Sequence, residues 1–203
     1  MQTSVSRFVA DVRATCKETG VKLRLAPARH VRLGPGVLSN GYFSSEYLEL
    51  ATAVNKPEQE WLRVLVHESS HLDQWREKAP VWIRSAHAYD GLFNALVDTH
   101  PINRSYLPIW SRLARDLELD CEKRAFKKMK HWDLPIDPAK YVRAANAYVW
   151  FYTMIPELNS WYIPGREPYN DRRILAMCPE HFVEDYDNVP KELIKEYYRI
   201  VKK

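Results

Sequence analysis

VLVHESSHLDQW, residues 64–75, carries His67 and His71 four residues apart, with Glu68 beside the first of them. Residues four apart on a helix share a face, so both imidazoles can ligate one metal ion. Glu68 can then reach a metal-bound water as general base. The flanks predict a buried helix over 57–79. Trp61-Leu62-Arg63-Val64-Leu65-Val66 is nearly apolar all round. Asn55-Lys56-Pro57-Glu58 supplies a capping residue, an early proline and acid in the first turn, and Pro80 is expected to stop the helix.

Two histidines do not complete a catalytic zinc site, which usually has three protein ligands and an open position for water. Ten residues after His67, where an extended HExxHxxGxxH motif has its third histidine, stands Glu77. Gln74 replaces the turn glycine, so nothing there bends the chain back to the metal. The better candidate is Glu118-Leu119-Asp120-Cys121-Glu122, because Glu118 and Glu122 lie one turn apart beside Ala114, Cys121 and Ala125. Small neighbours let this helix approach closely. Glu118 is assigned as third ligand, and Glu122 as the carboxylate that accepts the other N–H of a ligand histidine. Two alternatives stay open: Glu118 paired at the surface with Arg115 or Lys123, and Cys121 as ligand on the same face.

The rest of the chain predicts an α+β domain over 1–203, with an N-terminal helix and small sheet in 1–56, the HExxH helix in 57–79 and a mainly helical half in 80–203. Val5, Phe8, Val12 and Cys16 have helical spacing; 21–25 alternates with period two, and Val31 and Leu33 pair briefly. Gly34-Pro35-Gly36 marks a loop. Residues 38–45 form a second extended stretch with Asn40-Gly41 as hairpin turn or bulge, and 47–53 a third strand. A helix interrupted by Gly91 is expected before Thr99-His100-Pro101. Two long helices follow, 107–131 and 138–155, the second ended by Pro156. Residues 157–189 read as irregular, and Pro190 opens a last helix.

Composition excludes several classes. The net charge of +4 is small and dispersed, so a nucleic-acid role is not expected, and the basic run Lys123 to Lys130 reads as a solvated face. No apolar run approaches membrane-spanning length, and the first twenty residues lack an apolar signal core. Three cysteines without CxxC spacing argue for reduced thiols in an intracellular protein.

His67-Glu68-Ser69-Ser70-His71 followed by Glu118-x-x-x-Glu122 resembles the gluzincin zinc metallopeptidases, whose third ligand is a glutamate on a later helix. The wider wording, HESSHLDQW with ELDCEKR and ANAYVWFY, also resembles small metallopeptidase-like proteins of tailed phages. The gluzincin resemblance implies a zincin-like fold with the small sheet packed on the HExxH helix. It implies a peptide or protein substrate added along the edge strand near 38–45, and a tyrosine of the C-terminal half stabilising the oxyanion. Tyr148 is the candidate, with Tyr141 and Tyr152 on nearby turns. The phage resemblance implies the host cytoplasm, or association with a virion. The expected function is a zinc-dependent endopeptidase, in which Glu68 takes a proton from the attacking water and delivers it to the leaving amine. The rival is a non-catalytic zincin-fold binding or structural protein, its zinc kept for stability or lost.

Overall fold

A computed structural model describes residues 3–33, 37–96, 104–163 and 165–201. Gly34-Pro35-Gly36 and Thr99-His100-Pro101 lie outside the described residues. The fold is α+β, with eight α-helices among the described residues and its strands confined to the N-terminal part. The chain divides into two compact units, Met1–Ala79 with Cys121–Asp137, and Pro80–Asp120 with Pro138–Lys203.

The first unit begins with α1 (Ser4–Glu18), whose first turn is capped by the Thr3 hydroxyl accepting from Ser6 N–H. Phe8, Val12 and Cys16 recur every four residues, and all three are buried. β1 (Lys22–Ala26) runs parallel to β5 (Glu49–Ala53), and β4 (Gly41–Ser44) pairs antiparallel on the other side of β5. β4 is therefore one edge of the order β1-β5-β4. Arg24 spans the sheet, donating to Glu49 at 3.1 and 3.2 Å and to Tyr42 Oη at 2.8 Å, and Tyr42 donates to Glu49 in turn.

The stretch 38–45 is not one strand. β2 (Val31–Leu33) pairs with β3 (Val37–Ser39) in a separate two-stranded sheet, and the chain crosses to β4 at Asn40. Asn40-Gly41 is thus a crossover between sheets, neither hairpin turn nor bulge. Asn40 already bonds the new sheet, its carbonyl accepting from Ala53 N–H at 3.0 Å.

Helix α2 (Glu58–Arg76) carries HESSH. Its cap position is Pro57, with no side-chain cap, while Asn55 N–H bonds Ala28 instead. The end also differs from expectation, because Pro80 does not stop this helix but begins α3 (Pro80–Ser85). Lys78 closes α2 in the left-handed region at φ 51°. Ala79 N–H bonds Gln74 O at 2.9 Å and Lys78 N–H bonds Trp75 O at 3.1 Å, the Schellman pattern usually built on glycine. The basic run after Cys121 is not wholly solvated either. Lys128 pairs with Asp73 at 2.7 Å and Arg124 with Glu77 at 2.6 Å, tying α5 (Leu107–His131) to α2.

The second unit is helical and centred on α6 (Pro138–Leu158), buried on nearly all sides from Tyr141 to Ile155. Pro156 lies inside α6 rather than ending it. A proline there removes the N–H that would bond Tyr152 O, four residues back. The buried Ser111 hydroxyl donates to that carbonyl instead, so the helix continues. Gly91 does not interrupt a helix but sits within α4 (Ala88–Leu96), where a Cβ would meet the Trp110 ring at 2.5 Å. The segment 157–189 contains α7 (Arg172–Met177) and a 3-10 turn, Pro168–Asn170. Buried Asn146 pins the stretch beyond, donating to Pro179 O and His181 O, both at 2.9 Å. α8 (Lys191–Val201) buries Leu193, Tyr197 and Ile200. Among the described residues no helix is long and apolar enough to cross a membrane.

Candidate metal centre

In the first unit, α2 places His67 and His71 on one face, ring centroids 4.8 Å apart and nearly perpendicular. Ser69 and Ser70 turn their hydroxyls back to Val66 O at 3.0 and 2.8 Å, which lets both residues be buried. His71 Nδ1 lies 2.8 Å from Gln74 Oε1, and His67 Nδ1 lies 3.1 Å from Glu122 Oε1. Each acceptor draws the ring proton to Nδ1, which leaves the Nε2 lone pair of both imidazoles for an ion. Cys121 Sγ sits 3.3 Å from His67 O, to which it donates, and 3.7 Å from His67 Nδ1. Burial opposes charging His67, but Cys121 and Glu122 outweigh it and raise its pKa well above the usual imidazole value.

Glu68 is half-buried. Its Cγ lies beside edge strand β4: a Cβ on Gly41 would stand 3.4 Å from Glu68 Cγ, 2.4 Å from Val64 Cγ1 and 2.8 Å from Ala51 O. Only glycine lets β4 approach α2 this closely.

In the second unit, Glu118 is 3% exposed, which a carboxylate tolerates only with partners. Arg115 is not its partner, since that guanidinium pairs with Asp116 and Asp187. Tyr89 donates to Glu118 Oε1. Tyr89 and Tyr152 hydroxyls are 3.1 Å apart, and Tyr148 and Tyr152 hydroxyls 2.9 Å. Burial raises the pKa of all three phenols well above 10, and the Glu118 charge raises it further, so each keeps its proton.

Helix α5 runs through both units, so Glu118 stands one turn before Cys121 and Glu122 on a continuous helix. The donor atoms of His67, His71, Glu118 and Cys121 all lie within 4.8 Å of one another, a mostly buried cluster that could hold a metal ion. Of the residues singled out from sequence, Glu122 stands behind His67, Glu68 lies outside the donor set, and Tyr148 joins the phenol chain through Tyr152. Glu77 follows α2 and pairs with Arg124. Two residues escaped the sequence reading. Gln74 was findable, three residues after His71 on the same helix. Tyr89 was not, because nothing local ties it to a carboxylate 29 residues on. No family of known proteins, no curated protein and no solved structure matches the chain.

Proposed function

We propose that the chain is a zinc-dependent endopeptidase of zincin-like fold, built on the gluzincin plan. The observation that carries this reading is the convergence of His67, His71 and Glu118 within 4.8 Å, with Glu68 outside the donor set and beside an edge strand. Two oriented imidazoles and a carboxylate are donors that suit zinc. His67, His71 and Glu118 would hold the ion, which when bound supplies a Lewis acid and an activated water. Glu122 and Gln74 keep the two rings in the ligating tautomer. Glu68 accepts a proton on its carboxylate and passes it to the leaving amine. An extended peptide or protein segment lies along β4 as an added strand, which sets its scissile bond beside Glu68. Tyr148 turns its hydroxyl proton from Tyr152 to the substrate oxyanion.

Cleavage of a mixed peptide library tests this. Chelation should abolish cleavage and one equivalent of zinc should restore it; a fully zinc-loaded protein that cuts nothing contradicts it.

One observation favours a second reading, a non-catalytic binding or structural protein. Cys121 offers a fourth donor in the same cluster, and four protein ligands close a zinc site. X-ray absorption of the zinc form separates the two. A zinc–sulfur distance of about 2.3 Å supports the closed site, and nitrogen and oxygen ligands alone support the enzyme.

A further inference from the structure

We propose that Tyr89 is a positioning residue for the Glu118 carboxylate, holding it through a one-way chain of phenolic protons. This rests on the reading that Glu118 ligates the metal. Tyr89 belongs to α4, which Gly91 seats hard against α5: any Cβ there would overlap the Trp110 ring at 2.5 Å. That close seating brings Tyr89, two residues earlier, to Glu118 on α5.

A phenol has one proton to donate. Tyr89 spends it on Glu118 Oε1, so at the 3.1 Å contact with Tyr152 it can only accept. Tyr152 must therefore donate to Tyr89, and at the 2.9 Å contact Tyr148 donates to Tyr152. All three protons run toward Glu118. Hydrogen bonds arranged head to tail polarise one another, and the last ends on a charged acceptor, the stronger kind. The T-shaped contacts of Tyr152 with Tyr89 and Tyr148, at 6.2 and 5.1 Å between centroids, hold the phenol rings in place.

The consequence is specific. With a donor on Oε1, the carboxylate is held in one rotation, which would leave Oε2 as the oxygen to offer an ion. Without Tyr89 it can rotate, or ligate through both oxygens, and the coordination changes even where the fold does not.

The test uses the full chain as wild type, Tyr89→Phe and Tyr152→Phe, with competitive zinc titration, the visible spectrum of the cobalt(II) form and far-ultraviolet circular dichroism. Tyr89→Phe should weaken zinc about 10- to 100-fold and shift the cobalt bands at unchanged helix content. Tyr152→Phe, which keeps the bond to Glu118 but removes the donor behind it, should weaken zinc less and in the same direction. Tyr89→Phe with wild-type affinity and spectrum overturns the role of Tyr89 alone. If that variant does not fold, Tyr152→Phe decides, and unchanged zinc binding there overturns the chain. A wild type that takes up neither ion overturns the metal reading itself, and the proposal with it.

Discussion

Glu122 Oε1 faces His67 Nδ1 across 3.1 Å, joining the two helices that carry the candidate metal donors. The carboxylate holds the imidazole in one tautomer and one orientation. Glu122→Ala should lower zinc affinity about 10- to 100-fold. Competitive titration checks this, and an unchanged affinity would show that the contact does not orient a ligand.

The same contact predicts a pH dependence. The folded-state pKa of His67 is raised above its unfolded value, so the stability it contributes without metal is fully present below the unfolded value, about 6.5. That contribution is lost as pH rises through the raised, folded value. Zinc needs the neutral ring, so its affinity should run the opposite way, gaining about tenfold per pH unit in that window as the proton leaves. Melting of metal-free protein and zinc titration over the same pH series test the pair of slopes. A zinc affinity that does not rise with pH above the unfolded value would contradict them.

Gly41→Ala tests the approach of β4 to α2. The new Cβ would meet Val64 Cγ1 at 2.4 Å and the Ala51 carbonyl at 2.8 Å, and the carbonyl cannot move without disturbing β5. A loss of about 1–3 kcal/mol is expected from thermal or denaturant unfolding. Peptide cleavage should fall as well, because β4 is displaced from Glu68.

Cys16 and Cys178 are buried, and burial pushes their thiols up to about 11 and about 12. Both should stay unmodified by iodoacetamide at pH 8 in the native protein and react once it is denatured, which peptide mass spectrometry reads directly.

What was legible in the sequence was local and helical. His67 with His71, and Glu118 with Cys121 and Glu122, are each held by one helix, so spacing alone sets their common faces. Helix α5 covers Leu107–His131, the bounds expected for it from the sequence. Less legible were features set by partners distant in the chain. Asn40-Gly41 reads as a hairpin until β3 and β4 are seen to pair with different strands. Pro156 reads as a stop until Ser111 takes over the carbonyl it strands. Lys78 does what a glycine usually does at a helix end, so no residue type announced it. Tyr89 and its two phenol neighbours come from α4 and α6, and nothing near Glu118 in sequence points to them.

The hydrolysis rate of zinc-loaded Glu68→Gln against zinc-loaded wild type tests the central claim most directly. The variant keeps His67, His71 and Glu118, so it should bind one zinc like the wild type while cleavage falls by at least about 100-fold. Cleavage at the wild-type rate would contradict the assignment of Glu68 as general base, and with it the endopeptidase proposed for this site.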